Sequence, residues 1–362
     1  MQQKPISNVL IMAAGTGGHV FPALAVAEQL RASGVQVHWL ATPAGMEHRL
    51  VKPSGIPIYP INIQGIRGNG IQRLLLAPFK ILAATAAAIR LMRSLKIDAV
   101  AGFGGYVAGP GGLAARVLGI PLVIHEQNAV AGMTNTQLAR IARKVLQAFP
   151  ETFTQSDKVS TTGNPVRQAI VEVAPPAQRY AGRTGAFQIL VIGGSLGAQA
   201  LNQQIPAALA LVQQPIQVKH QCGQAQLEAT QQAYVHAQQA NPQLSVEVLP
   251  FVQDMATAYA QADLIICRAG ALTVTEVATV GIAAIFIPLP SAVDDHQTVN
   301  AGYLVEAGAA LLCPQASLSA EGLAATLRGL LNRNRLLDMA EKSRAKAQPS
   351  ATAQVVAAIL SV

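Results

Sequence analysis

The sequence predicts an α/β protein that consists of two parallel-sheet domains. Strand-like and helix-like segments alternate along the 362 residues, and the alternation restarts in the second half of the chain. A glycine-rich loop follows the first strand-like run of each half, at 14–19 and at 193–197. A chain of 362 residues also fits two to three domains.

The first half predicts a sheet whose helices cover both faces, because single strands alternate with helices. Its predicted strands are 8–14, 35–41, 56–61, 98–101, 121–125 and 144–148, and its predicted helices are 22–33, 71–95, 110–118 and 135–142.

The second half repeats the pattern after a turn-prone stretch at 163–176. Its predicted strands are 188–194, 216–221, 245–249, 263–267, 283–287 and 309–313, with helices between them. We expect domains at 1–163 and 164–344, with a terminal helix at about 345–362 that packs back on the first. Parallel sheets bind ligands outside the carboxyl ends of their strands, so two such sheets would share a cleft.

Glycine loops at 14–19, 102–106 and 193–197 predict a phosphorylated ligand. Two of them lead into helix-like stretches, and a helix start offers free N–H groups and a favourable dipole to an anion. The first loop lacks the last glycine of G-x-G-x-x-G, and no carboxylate follows the second strand, which disfavours NAD. No G-x-x-x-x-G-K-[ST] occurs, which disfavours ATP hydrolysis.

The charge of the chain narrows the class of partner. Formal net charge is +8, only 12% of residues are charged and 51% are hydrophobic, which suits anionic small substrates or an anionic membrane surface. Aromatic residues make up 4%, and no nucleic-acid motif occurs, so nucleic acid is not expected. Three widely spaced cysteines, Cys222, Cys267 and Cys313, indicate a reducing compartment rather than disulfides or a zinc site.

The sequence predicts neither a signal peptide nor a membrane span. Glycines interrupt the apolar amino-terminal run, and the apolar stretch at 74–92 is broken by Pro78, Lys80 and Arg90. We therefore expect a cytoplasmic protein.

Polar side chains follow two predicted strands of the first domain. His19 comes directly after the first glycine loop, and the run His-Glu-Gln-Asn at 125–128 follows the strand at 121–125. Imidazole at such an edge can take a proton from an attacking hydroxyl or hold a phosphate. The structural alternatives are a helix-start histidine bonded to its own backbone and an ordinary loop.

The second domain has a related pattern at 267–276, where a strand ends and a helix begins. The helix start offers N–H groups to a diphosphate. Glu276 can accept hydrogen bonds from both hydroxyls of a ribose, or it can stabilise its own helix dipole. Asp294 and Asp295 lack the D-x-D spacing of a Mg²⁺-diphosphate site, so no metal is expected.

The helix-like segment 67–92 has an apolar arc with cations opposite. This pattern suits a helix that lies on anionic lipid. It equally suits an amphipathic helix packed on its own sheet.

Taken together, six motifs resemble those of the peptidoglycan N-acetylglucosaminyltransferases. These enzymes convert undecaprenyl-diphospho-muramoyl-pentapeptide (lipid I) into lipid II with UDP-N-acetylglucosamine. The motifs occupy 15–22, 104–107, 125–128, 163–167, 193–195 and 271–276. One departure is Ala14, where many members carry another glycine.

The resemblance implies a GT-B fold, in which two Rossmann-like domains face each other across a cleft. It assigns the donor to Thr16, Gly17, Gly18, Asn128, Arg167, Ser195, Val252, Ala271, Leu272, Thr273, Val274, Thr275, Glu276 and Gln297. It assigns the acceptor to Gly15, Gly104, Gly105, Tyr106, His125 and Asn135. It also favours a membrane patch of Arg67, Arg73, Leu75, Phe79 and Lys80.

The implied reaction is inverting transfer of N-acetylglucosamine to the C4 hydroxyl of the muramoyl sugar, without cofactor or metal. His19 is the expected general base, and Glu126 or Asn128 would orient it or share the work. Implied partners are UDP-N-acetylglucosamine, lipid I, the cytoplasmic face of an anionic membrane, and other cell-wall synthesis proteins. The alternatives are another GT-B enzyme, such as a UDP-sugar epimerase, and a sugar-binding protein, which would carry an export signal.

Overall fold

The computed structural model describes residues 5–63, 71–194, 198–290 and 295–362, and for 71–76 it describes the backbone alone. The chain forms two compact units. Unit 1 comprises Met1–Arg167 with Gln348–Val362, and unit 2 comprises Gln168–Ala347. The chain passes from unit 1 to unit 2 after Arg167, four residues beyond the predicted boundary at 163. It passes back to unit 1 after Ala347, three residues beyond the predicted boundary at 344.

Unit 1 has a seven-stranded parallel sheet of order β3-β2-β1-β4-β5-β6-β7. The strands are β1 Asn8–Met12, β2 Gln36–Ala41, β3 Ile58–Pro60, β4 Ala99–Gly102, β5 Leu122–Glu126, β6 Lys144–Gln147 and β7 Val159–Thr161. Strands β1 to β6 match predicted strands. Strand β7 was not predicted, because it has only three residues, two of them exposed. The strand order reverses between β1 and β4, which is where open α/β sheets bind ligands.

The helices of unit 1 cover both faces of this sheet. They are α1 Gly17–Ala32, α2 Met46–Val51, α3 Ile71–Ser94, α4 Ala108–Leu118 and α5 Met133–Leu138, joined by a later helix at Ala351–Leu360. One face buries Ile11 and Trp39 under α1, and the other buries Met12 under α3 and α4, with Met92 of α3 in the same core. The helix Ala351–Leu360 inserts Val355 into the first of these cores.

Helix α1 begins five residues earlier than predicted. Thr16 has the extended backbone of an N-cap, and Gly17 already occupies the first helical position. The prediction placed the start at residue 22. The structure instead carries Pro22 inside the helix, so His19 lies in the first turn.

Unit 2 has a six-stranded parallel sheet of order β10-β9-β8-β11-β12-β13. Its strands are β8 Phe187–Ile192, β9 Ile216–Gln221, β10 Leu244–Leu249, β11 Leu264–Cys267, β12 Ala283–Phe286 and β13 Ala310–Leu312. Its helices are α6 Gln168–Val171, α7 Pro176–Tyr180, α8 Gln199–Ala210, α9 Leu227–Ala240, α10 Met255–Gln261, α11 Ala271–Val280, α12 His296–Val305, α13 Ala320–Leu330 and α14 Arg333–Ala345; the last helix, Ala351–Leu360, is α15. Here the strand order reverses between β8 and β11.

Candidate active site

Two glycine loops meet at the point where the strand order of unit 1 reverses. Gly15 follows β1 with φ +102°, and Gly104 and Gly105 follow β4 with φ +100° and +81°. A Cβ on Gly105 would lie 2.2 Å from the carbonyl oxygen of Ala14, so the two backbones touch where no side chain would fit. Glycine is therefore required here by conformation and by close approach.

His19 lies against both glycine loops. Its Nδ1 is 3.2 Å from the carbonyl oxygen of Ala14, and a Cβ on Gly104 would lie 3.0 Å from its Cδ2. When Nδ1 carries the proton and donates to Ala14, the basic nitrogen of the ring is Nε2. The geometry thus fixes a half-buried imidazole at the carboxyl edge of the sheet.

Glu126 organises the loop that follows β5. The carboxylate is 2% exposed and accepts four hydrogen bonds. Oε1 accepts from the backbone N–H and the side-chain amide of Asn128, at 3.0 and 3.2 Å. Oε2 accepts from the N–H of Gly132 at 3.1 Å and from Nδ2 of Asn135 at 2.9 Å. These contacts are those of a residue that positions Asn128 and Asn135.

His125 connects the same loop to the segment that leads out of unit 1. The ring is 1% exposed, and its Nε2 donates to the carbonyl of Gly163 at 2.9 Å, while Nδ1 accepts from Nε2 of Gln127 at 3.2 Å. Burial lowers the pKa of His125 to about 4, so the ring is neutral at pH 7. Asn164 adds a bond from its Nδ2 to the carbonyl of Gln127 at 3.0 Å.

Arg167 lies beside the start of α1. Its guanidinium carbon is 5.4 Å from the centre of the Phe21 ring, and a Cβ on Gly17 would lie 3.0 Å from that ring. Arg167 and the helix start both favour an anion. Tyr106, after the second glycine loop, is 55% exposed.

Glu47 supports the first glycine loop and was not predicted. The carboxylate is fully buried and accepts from the backbone N–H and hydroxyl of Thr42 at 2.8 and 2.6 Å. Its other oxygen lies 3.5 Å from the backbone nitrogen of Gly15. The sequence around Glu47 does not predict that this carboxylate is buried, because the contact with Gly15 joins residues 32 positions apart.

Part of the predicted membrane patch is exposed. Phe79 and Leu82 of α3 are 70% and 67% exposed, and Lys80 between them is exposed as well. On the adjacent α4, Leu113 and Val117 are also exposed. Arg67 lies outside the described residues, as do the side chains of Arg73 and Leu75.

The ligand edge of unit 2 begins at the glycine turn after β8. Gly194 has φ +85°, and Ser195, the predicted donor contact, lies outside the described residues. Helix α11 starts after β11 with Gly270 as its N-cap, so its first N–H groups lie at the same edge. Both features border the position at which the strand order reverses.

The predicted donor stretch 271–276 exposes few side chains. Val274 is fully buried, and the hydroxyl of Thr275 donates to the carbonyl of Ala271 at 2.9 Å, whereas Leu272 and Thr273 are partly exposed. Glu276 is 5% exposed, and its Oε2 accepts from the hydroxyl of Tyr259 at 2.9 Å.

Two other predicted donor residues differ in exposure, since Val252 is buried and Gln297 is partly exposed. Val252 is 6% exposed, while its neighbour Phe251 is 62% exposed. Gln297, in α12, accepts from the backbone N–H of Leu289 at 3.0 Å through Oε1. Phe251 was missed by sequence reasoning, since a single aromatic after a strand carries no motif.

The described residues contain neither a metal-binding cluster nor a membrane-spanning helix. Within residues 5–63, 71–194, 198–290 and 295–362, no group of three His, Cys, Asp or Glu side chains could hold a metal ion. No helix of this described part is long and apolar enough to cross a bilayer.

Comparison with known proteins identifies the family. Models of the glycosyltransferase family 28 N-terminal and C-terminal domains match residues 9–147 and 188–355. A relative from Acinetobacter baylyi, named UDP-N-acetylglucosamine--N-acetylmuramyl-(pentapeptide) pyrophosphoryl-undecaprenol N-acetylglucosamine transferase, is 63% identical over 358 residues, 98% of this chain and 97% of its own. One of the same name from Psychrobacter cryohalolentis is 54% identical over 96% of this chain and 97% of its own.

A solved structure agrees with this assignment. The crystal structure of Acinetobacter baumannii MurG is 56% identical in sequence and has a TM-score of 0.87. The match covers 98% of this chain and 100% of that chain. The chain therefore belongs to glycosyltransferase family 28 and has the GT-B fold.

Proposed function

We propose that this protein transfers N-acetylglucosamine from UDP-N-acetylglucosamine to the C4 hydroxyl of the muramoyl sugar of lipid I, forming lipid II. The observation that carries the proposal is near full-length similarity, at 54% and 63% identity, to transferases named for this donor and acceptor. Glycine loops at both positions of strand-order reversal support it, because such loops suit phosphorylated substrates.

The donor binds mainly to unit 2 in this proposal. The N–H groups at the start of α11 bind the diphosphate beside the glycine turn at Gly194, and Glu276 accepts hydrogen bonds from the ribose hydroxyls. Phe251 offers an exposed ring on which a uracil can stack. Of the donor contacts predicted in unit 1, Arg167 adds a positive charge for the diphosphate.

The acceptor binds to unit 1 at the edge formed by Gly15, Gly104 and Gly105, with Tyr106 exposed beside it. His19 acts as general base. Nε2 takes the proton of the C4 hydroxyl, the hydroxyl oxygen forms a bond to the anomeric carbon, and the bond from that carbon to UDP breaks. Attack from the face opposite UDP inverts the anomeric centre and gives a β-1,4 link.

Glu126 is a positioning residue here. Both of its carboxylate oxygens already accept bonds from the loop that follows β5, so its charge fixes Asn135 at the acceptor edge and Asn128, a predicted donor contact, beside it. Of the catalytic roles predicted for Glu126, the proposal keeps the orientation of neighbouring side chains and leaves proton transfer to His19.

The departing UDP gains negative charge, which oriented backbone N–H groups and Arg167 stabilise. We expect activity to persist in EDTA. Loss of activity on chelation with recovery on adding Mg²⁺ would show that a metal takes part.

A peripheral position on the cytoplasmic face of the membrane fits a lipid-linked acceptor. Phe79 and Leu82 of α3 and Leu113 and Val117 of α4 are exposed apolar side chains, and the cation Lys80 of α3 is exposed as well. Such apolar side chains insert shallowly while cations attract anionic headgroups.

Mass spectrometry of the products tests the function directly. The protein is incubated with UDP-N-acetylglucosamine and a short-chain lipid I analogue, and a product heavier by one N-acetylglucosamine residue is expected. An acceptor of unchanged mass, together with an epimerised UDP-sugar detected by NMR, would indicate the alternative GT-B activity.

His19→Ala separates catalysis from binding. We expect kcat to fall by about 10²–10⁴ while UDP affinity measured by calorimetry is kept. His236→Ala, at an exposed position on α9, is the matched control. A loss smaller than about tenfold would place the base elsewhere.

A further inference from the structure

Gln221 lies at the carboxyl end of the strand between two ligand-edge loops. Strand β9 is flanked by β8 on one side and β10 on the other. The side chain of Gln221 is part of the buried edge, with the residue 4% exposed. It is thus placed to reach the loop after each neighbouring strand.

The Gln221 carboxamide bonds the backbone of both loops. Its Oε1 accepts from the N–H of Gly194 at 3.2 Å, and its Nε2 donates to the carbonyl of Gly194 at 2.9 Å. Nε2 also donates to the carbonyl of Pro250 at 3.2 Å. Both hydrogens of the amide are therefore used, one on the turn after β8 and one on the loop after β10.

We propose that Gln221 is a positioning residue for the nucleotide diphosphate donor, because it holds the glycine turn after β8 and the loop after β10 in a single arrangement. The inference rests on the proposed function, in which the glycine turn at Gly194 lies beside the diphosphate and Phe251 stacks on the base. Gln221 itself is too buried to be a principal ligand contact.

The chemistry of the carboxamide suits this role. Gly194 has φ +85°, a conformation that glycine adopts readily but does not favour strongly over others. The paired bonds to its N–H and carbonyl select that conformation before the ligand arrives. A preorganised loop binds more tightly because less ordering is required on binding.

The opposite edge of the same sheet supplies a matched control. Asn241 is fully buried and also makes three bonds to backbone groups. Its Nδ2 donates to the carbonyls of Leu209 and Val212, and its Oδ1 accepts from the N–H of Gln243. Loss of the Asn241 bonds affects stability at the edge away from the ligand.

The experiment compares Gln221→Met, Gln221→Glu and Asn241→Leu with the wild type. Thermal melting measures folding, calorimetry measures the Kd of UDP, and steady-state kinetics measures KM for UDP-N-acetylglucosamine and for the lipid I analogue. We expect all three variants to melt at lower temperature. Only the Gln221 variants should raise the Kd of UDP and the donor KM, by about tenfold, with acceptor KM and kcat within about twofold of wild type.

Gln221→Glu gives a second, independent measurement. The carboxylate keeps an acceptor for the N–H of Gly194 but places an oxygen against two carbonyls and adds negative charge near the diphosphate. We expect its UDP affinity to be lower than that of Gln221→Met. A folded Gln221→Met with wild-type Kd and donor KM would overturn the inference.

The remaining outcomes are also decisive. Equal loss of UDP affinity in Asn241→Leu would make the effect one of general stability and overturn the inference. It would also be overturned if both Gln221 variants failed to fold while Asn241→Leu folded. Failure of the wild type to bind UDP would overturn the proposed function itself, and this inference with it.

Discussion

Substitution Glu126→Gln tests whether this carboxylate positions the acceptor loop or takes the substrate proton. A glutamine has one oxygen, so its NH₂ group must face one of the two pairs of donors that the carboxylate now satisfies. Two hydrogen bonds to a charged acceptor are lost, each worth about 1.5–3 kcal/mol. We expect unit 1 to lose about 3–6 kcal/mol of stability, and more where the two donors are left facing another donor.

Calorimetric melting and the pH dependence of kcat provide the assay. A loss of that size should lower the melting temperature of unit 1 by about 10 °C. The acceptor kcat/KM should fall about 10²-fold because Asn128 and Asn135 are displaced, while the acid limb of the kcat profile persists. A variant with wild-type melting temperature and no acid limb would refute the reasoning and make Glu126 the base.

Three other predictions follow from buried and exposed groups. Glu276→Ala should raise the donor KM about tenfold or more, because a hydrogen bond to a charged group is lost. Tyr259→Phe removes the bond to Oε2 but keeps the carboxylate, so it should change the donor KM less. A donor KM equal to that of the wild type in both variants would remove Glu276 from the donor site. The double variant Phe79→Ser, Leu82→Ser should sediment less with anionic vesicles at every ionic strength. Lys80→Gln should sediment less mainly at low ionic strength, because salt screens only the electrostatic attraction. Undiminished binding in both variants would show that another surface of the protein binds the membrane. Burial lowers the pKa of His220 from 6.5 to about 3, so on acidification the unfolded chain takes up a proton that the folded chain excludes. The contribution of the neutral ring to the free energy of unfolding is therefore complete above pH 6.5 and falls as the pH drops towards 3, by several kcal/mol near pH 4. Urea unfolding at pH 4 to 7 should show that the free energy of unfolding of His220→Gln depends less steeply on pH than that of the wild type.

The repeating strand-helix pattern was sufficient to predict the fold class. Buried parallel strands such as Ala99–Gly102 are continuous apolar runs in the sequence, and glycine loops mark where they end. The short strand Val159–Thr161 and the helix Met46–Val51 escaped prediction, because neither is long enough to show a period.

Motifs located the candidate site, but the sequence could not show which side chains reach it. Val274 lies in an expected donor motif and is fully buried, whereas Phe251 lies in no motif and is 62% exposed. Glu47 and Gln221 act through bonds to backbone groups 32 and 27 positions away, and such pairings depend on strand order. Local pattern carries no information on contacts of that range.

The packing of α15 in the core of unit 1 affects how the protein is made. Because Val355 and Ile359 are synthesised after all of unit 2, unit 1 cannot complete its hydrophobic core until unit 2 has left the ribosome. Domains generally fold in the order of their synthesis, but here unit 2 can complete its core before unit 1 does. A released chain truncated after residue 347 should therefore have a complete unit 2 and a unit 1 that proteases can still open.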